Sequence, residues 1–575
     1  MRISASLTSI LSLLLLVCCG PKDSDQADAQ AESYKLVQTV YHGGDILTMD
    51  GETPNYVEAV VQREGRIIFV GSKKDALDRF KDKAEIVDLK GKTLLPGFID
   101  AHSHFSVAVQ MVNQQNLSVP PVGPVTDIAS LQQALVEFQQ ERQIPPGEWV
   151  VGYGYDNEGL AEGRHITKMD LDEVLPDHKV LVIHVSQHGG VLNSKGLEWA
   201  GVTAETETPK GGIIARMPGS QEPAGLLMET AWIPIFAKVP TPSDDELLKL
   251  LDAAQQMYAS QGYTHAQDGA AFITQMRFME RAVDSGLLYL DLVSLPNVVD
   301  MPKWIDSGEF TFGEYIGHLK FQGVKLLQDG SPQGKTAYVS KPYLTGGPDG
   351  QKNWRGETTF PTDEFNGYIQ RVLDKGLQVF VHANGDATID EVIAAIKKAG
   401  ITAEDDRRPV VIHSQFQRPD HLDQYVELGL QPAYFTNHTY FWGDVHIKNI
   451  GRDAADFISP VMAAKAKGLV YSNHSDFNVT PLDPFFIMWT ARNRITRNGI
   501  ILGEDQRADP YTALQGITTG AAYQVFEENR KGKIKEGMLA DFVILDKNPL
   551  KTEGQALKEI KVVQTIKEGQ VVYPQ

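Results

Sequence analysis

Short apolar runs broken by turn residues occupy both ends of the chain, and apolar runs alternating with amphipathic stretches fill the middle. Near the N-terminus the runs 40–49, 59–62 and 66–70 are punctuated by Asp50-Gly51 and Glu64-Gly65, which read as strands joined by tight turns. The C-terminus has the same texture over 540–546, 560–566 and 570–573. Two β-rich ends around a long middle predict one small β-sandwich built from 34–96 and 529–575. Between them, 97–528 carries eight strand-like runs, at 98–102, 263–267, 288–294, 323–327, 378–381, 410–412, 431–434 and 469–472. Strand runs alternating with helical segments indicate a parallel α/β architecture, and eight of them predict a distorted (β/α)8 TIM-type barrel. The gap between the first two runs far exceeds one helical crossover. A large insertion, about 106–255, therefore follows the first strand.

Composition narrows the class. The 575 residues are 42% hydrophobic and 22% charged, the balance of a globular chain. Lys and Arg number 54 against 74 Asp and Glu, a net charge of −20, and no basic run is present. Nucleic acid is excluded as a partner, because phosphate neutralisation needs basic patches. Both cysteines, Cys18 and Cys19, fall in the N-terminal segment, so thiolate metal ligands, disulfides and a cysteine nucleophile are excluded from the body. Arg2, the apolar run 7–17 and Cys18-Cys19-Gly20 fit a secretory signal over 1–18. Leu16-Val17-Cys18-Cys19 resembles a bacterial lipobox, although Cys18 stands where a small residue is usual. The resemblance implies lipidation of Cys19, a flexible tether over 19–33, and a periplasm-facing lipoprotein of the bacterial cell envelope. Gly20 is not the Asp that favours inner-membrane retention, which points to the outer membrane. A homodimer is a further expectation.

The chemistry-bearing pattern starts at His102-Ser103-His104, where an apolar run breaks into two histidines two residues apart. On an extended strand such side chains share one face and suit a zinc-type metal. Four further residues stand at or just beyond later runs: Lys325, His382, His413 and Asp476. Barrel active sites are assembled at C-terminal strand ends, so six such residues in this order have a common explanation.

The quoted pieces resemble the amidohydrolase superfamily, specifically the amidohydrolase-3 branch that includes N-substituted formamide deformylase. They are Gly97-Phe98-Ile99-Asp100-Ala101-His102-Ser103-His104, Val324 to Ser331, His382-Ala383-Asn384-Gly385-Asp386, Ile412-His413-Ser414-Gln415, His474-Ser475-Asp476 and Ile534 to Asp541. The resemblance implies a metal-dependent hydrolase of non-peptide C–N bonds acting on a small-molecule amide. It implies that His102, His104 and Asp476 hold one metal, that His382 and His413 hold a second, and that Lys325, carboxylated as a carbamate, bridges them. Two Zn²⁺ are expected, with a one-metal site and Lys325 as an ordinary base as the alternative. In this scheme metal brings water deprotonation towards neutral pH, and Asp476 moves the proton. Lys325 and Asp476 are the catalytic candidates. Asp386 reads as a residue that caps or orients a ligand histidine rather than one that performs chemistry. Substrate-contact candidates are His188, in a stretch resembling a family motif, and Tyr153, Asp156, His438, Trp442, His474 and Phe477. Hydrolysis of esters, lactones or cyclic amides is the rival enzymatic reading, and a non-catalytic metal-binding or regulatory lipoprotein is the rival from another class.

Overall fold

The computed structural model describes residues 38–574 apart from 121, 158, 186–188, 210–211, 230, 237, 240–241 and 348–350. Cys18, Cys19 and His188 lie outside the described residues. Among those described, no helix is long and apolar enough to cross a membrane.

Eight parallel strands in chain order position the site. They are β1 (Phe98–Ile99), β2 (Tyr263–Ala271), β3 (Asp291–Pro296), β4 (Gly323–Leu327), β5 (Gln378–Ala383), β6 (Val410–His413), β7 (Gln431–Tyr434) and β8 (Ser472–Asn473). Most of their residues are buried, as strands of a parallel sheet covered on both faces require. Pairing runs β1–β2–β3 in one arc, extended by the short segment Leu319–Phe321, and β4 to β8 in another. At one seam a parallel bridge joins Asn297, just past β3, to Lys325 on β4. At the other, the Asp476 N–H donates to His102 O over 3.0 Å, and buried Asp100 accepts both the N–H and the hydroxyl of Ser475. This pattern is consistent with a TIM-barrel-type α/β fold.

Helices follow the strands where caps permit. Asp244–Ser260 begins at Ser243, whose capping box with Glu246 and three acids in the first turn satisfy the free N–H groups and favour the helix dipole. This helix and Phe105–Met111 pack into the main core, with Tyr258, Phe105 and Val109 joining Tyr263, Leu292, Val379 and Tyr434. The insertion proper is therefore narrower than 106–255. It forms its own six-stranded sheet from Gln115–Asn116 to Pro223–Glu229, with its own apolar cores around Leu135, Val150 and Val180 and around Leu181, Leu192 and Leu227.

The two chain ends share one eight-stranded sheet. Phe542–Leu545 pairs antiparallel with Thr93–Pro96, which pairs with Gln38–Leu47 in turn. Between this sheet and the N-terminal ends of the parallel strands lies a buried ionic network. Asp291 receives hydrogen bonds from Lys531 and from His318 Nδ1 at 2.8 Å, and Lys567 Nζ lies 3.3 Å away. Lys320 pairs with Glu527, and Lys567 with Asp541 at 3.2 Å.

Candidate metal centre

Six side chains named from the sequence converge at the C-terminal strand ends. His102, beyond β1, is buried, and its Nδ1–H donates to Gln267 Oε1 on β2 over 2.8 Å. That bond places the proton on Nδ1 and leaves the Nε2 lone pair facing inward. There it meets Lys325 Nζ at 3.0 Å and Asp476 Oδ1 at 3.7 Å. The ring fits because Gly269 leaves room: a Cβ at that position would stand 2.1 Å from His102 Cε1. His104 Nε2 lies 3.3 Å from the same Asp476 oxygen. His413 Nε2 and His382 Nδ1 approach to 3.1 Å, and the His102 and His413 rings are 5.7 Å apart, joining the two groups.

Burial sets the protonation of this cluster. Burial and then the Lys325 charge push His382 down to about 4 and hold His102 well below the imidazole range. Burial, then His382, does the same to His413. Burial pushes the Lys325 amine down to about 7 against the pull of Asp476. For Asp476 burial acts upward, and the hydrogen bond from His104 is the largest influence that holds the carboxyl below its usual range. The backbone is strained at the same place. His413, Ser414 and Asp476 have φ of 71°, 43° and 50°, left-handed conformations that cost a non-glycine residue about 1–3 kcal/mol each.

The donor set fits divalent metal. His102, His104 and Asp476 each offer an atom within 4.8 Å of the others. Two nitrogens held tetrahedrally at about 2.0–2.1 Å from one ion stand roughly 3.3 Å apart, close to the 3.1 Å between His413 and His382. Both nitrogens of His474, which lies between the ligand candidates, are buried without a hydrogen-bond partner among the described residues, and buried polar atoms are rarely left so. Imidazoles beside one carboxylate form a nitrogen and oxygen set suited to zinc-like ions.

The family model for the amidohydrolase family matches residues 85–573. The chain belongs to the amidohydrolase family. It is 28% identical to the YtcJ protein of Bacillus subtilis over 93% of this chain and 99% of that one. It is 27% identical to N-substituted formamide deformylase of Arthrobacter pascens, over 90% of this chain and 95% of the relative. Among solved structures, an uncharacterized metal-dependent hydrolase from Pyrococcus furiosus shares the fold with a TM-score of 0.70 at 23% identity, covering 89% of this chain and all of that one.

The remaining sequence candidates are dispersed. His474 lies between the ligand candidates, its ring 5.3 Å from His102 and 5.1 Å from His413, stacked on Phe435. His438 is buried beside Phe435 and Trp442. Tyr153 packs against an apolar core of the insertion, and Asp156 follows the same insertion strand, Trp149–Tyr155. Half-buried Phe477 packs edge-on against Tyr258. Asp386 does not orient a histidine. It accepts from Ser340 and from Arg418 Nη1 at 3.1 Å, because it opens the helix Asp386–Lys398 and faces that neighbour. Gly330 O at 3.3 Å, the Asn384 amide at 2.9 Å and Asp329 at 3.6 Å stand against His382 Nε2 instead. Asp329 also accepts from the N–H groups of Asn384, Gly385 and Tyr338, tying two loops to the end of β4. Asn384 and Asp329 lay in the motifs already quoted. Gln267 was visible only as a polar residue ending an apolar run.

Proposed function

We propose that this chain is a metal-dependent hydrolase that cleaves the C–N bond of a linear or N-substituted amide. The observation that carries the reading is the convergence of His102, His104, Lys325, His382, His413 and Asp476 on one region, with the imidazoles of His102, His382 and His413 kept neutral by burial. His102, His104 and Asp476 would hold one divalent ion, and His382 and His413 a second, with zinc the expected metal. Such ions supply Lewis acidity, which brings deprotonation of water within reach of neutral pH and polarises an acyl oxygen.

The chain's own groups do the rest. Gln267 fixes the His102 tautomer, so that Nε2 faces inward without a proton. Lys325, with its amine near 7, has the neutral form that carbamate formation with CO2 requires, and the carbamate would add the negative charge that two dications need. Asp476, held ionised, accepts a proton from the attacking water at a carboxylate oxygen and delivers it to the leaving nitrogen. His474, between the ligand candidates, and Trp442, beside His438, would contact substrate in this reading. The same reading takes the strands as a closed, distorted (β/α)8 barrel and the terminal sheet as a β-sandwich. It places the enzyme on the periplasmic side of the envelope, anchored through Cys19, on the strength of residues 1–20.

The test is a panel of N-substituted amides, esters, lactones and cyclic imides assayed on protein of measured metal content, before and after chelation. The reading expects about two ions per chain, amide cleavage abolished by chelator and activity restored by Zn²⁺. Ester or cyclic-imide turnover alone would replace the substrate class. A metal-replete chain inert to the whole panel would reject the enzyme.

A further inference from the structure

The seventh strand contributes none of the six converging groups, yet a histidine pair stands directly beyond it. His438 opens the short helix His438–Phe441 after β7, and His446 lies in the next helix, Gly443–Ile450. His438 Nδ1 and His446 Nε2 are 3.1 Å apart. The ring planes are within 9° of each other and the ring centres are 5.3 Å apart. With edge nitrogens that close and centres that far, the nitrogens lie nearly on the line between the rings. The contact is thus an in-plane N–H···N hydrogen bond.

One proton must sit in that bond, and burial decides which ring owns it. Burial keeps both rings neutral, pushing His446 down to about 3 and His438 well below the imidazole range. His446 Nδ1 is sealed away with no partner among the described residues. Were His438 the donor, His446 would carry its proton on Nδ1 as an orphaned buried N–H, the rarer and costlier omission. With His446 Nε2–H donating, the orphan is only a lone pair, and His438 must carry its proton on Nε2. Phe435 lies 4.8 Å from the His438 ring and 4.8 Å from His474, so His438 stands one ring away from the converging cluster. Asp476, His474 and His382 all act on it electrostatically.

We propose that His438 is a catalytic hydrogen-bond donor, presenting Nε2–H to the acyl oxygen of the substrate as negative charge develops there, and that His446 is the positioning residue that fixes its tautomer. This rests on the hydrolase reading above. A neutral donor fixed before reaction suits such charge, because no reorganisation is needed when it forms.

The test uses the metal-loaded full chain and its best amide substrate. His438→Ala should lower kcat about 100-fold with KM little changed. His446→Leu should lower it about 10-fold, because His438 is then free to take either tautomer. His438→Gln, which keeps an N–H donor, should recover part of the loss, and metal content should stay at the wild-type value in all three. Equal kcat losses in the Ala and Gln variants, or a fall in metal content with them, would overturn the proposal in favour of packing. Nitrogen NMR of ¹⁵N-histidine-labelled wild type should show His438 protonated at Nε2, and a proton at Nδ1 overturns it whether or not amides are cleaved. A wild type inert to every amide and ester rejects both readings, whereas an active wild type matched by His438→Ala rejects this one alone.

Discussion

Two buried polar regions stand at opposite ends of the same parallel strands. At the N-terminal ends, Asp291 faces Lys531, Lys567 and His318, and Glu527 faces Lys320, so anions meet cations already supplied by the chain. At the C-terminal ends, imidazoles face imidazoles, and His413 and His474 keep buried nitrogens without partners among the described residues. Both regions include a triad with metal-ligand spacing, Asp291, His318 and Glu568 in one and His102, His104 and Asp476 in the other. Lysine Nζ atoms already occupy the first. Proximity of ligand-type residues therefore does not by itself define a metal site. What separates the two ends is whether the charge and lone-pair account closes within the protein. The first region joins the terminal sheet to the strands, and the second is arranged for an external cation.

Substitution separates the two ends most strongly through Asp476. Asp476→Asn is expected to lower kcat by on the order of 10³–10⁴-fold, with little loss of thermal stability. Asp291→Asn should do the reverse. It leaves Lys531 and Lys567 buried without their shared anion, costing about 3–5 kcal/mol of stability, while turnover per folded molecule stays at the wild-type value. Thermal melts and initial rates on the same preparations check both, and a collapse of turnover in folded Asp291→Asn would break the contrast.

The acid limb sharpens the comparison. At Asp291 burial acts upward, but Lys531, Lys567 and the His318 hydrogen bond hold the native carboxyl well below its ordinary range. A depressed native value contributes stability that is fully present above the unfolded pKa of about 4 and is lost as pH falls from there towards the native value. The stability gap between wild type and Asp291→Asn should thus be widest near neutrality and narrow below about pH 4, as measured by denaturant unfolding across that range. A gap that widens on acidification would contradict the assignment.

A smaller effect is expected one contact away from the cluster. Gln267→Leu removes the acceptor that fixes the His102 tautomer and should weaken metal affinity about 10–100-fold, read by competition with a chelator. Unchanged affinity would mean that the tautomer is fixed by other means.

How far these regions were legible in the sequence differs with the range of the forces involved. Runs 323–327 and 431–434 coincide with β4 and β7, strands whose residues are buried apart from Leu327. The run 469–472 shrinks to Ser472–Asn473 because Leu469 N–H closes the preceding helix onto Ala464 O and Val470 is exposed. The run 288–294 starts at Asp291 instead, as Leu288 and Leu290 are loop residues filling the core. The insertion was visible as a gap in the strand spacing, but its six-stranded sheet was not, although its strands pair almost in chain order. The ligand candidates were visible as polar residues interrupting apolar runs. His446 was not, as an isolated histidine in a helical stretch carries no mark until its ring meets His438. Neither was the role of Asp329, which depends on the N–H groups of two loops that sequence spacing does not bring together.

The most direct measurement is anomalous X-ray scattering from crystals of the metal-loaded chain. Ions lying among His102, His104 and Asp476, and between His382 and His413, with added density on Lys325 Nζ, are the predicted result. Ions bound only at Asp291, His318 and Glu568, or a loaded chain with none among the six converging side chains, would contradict it.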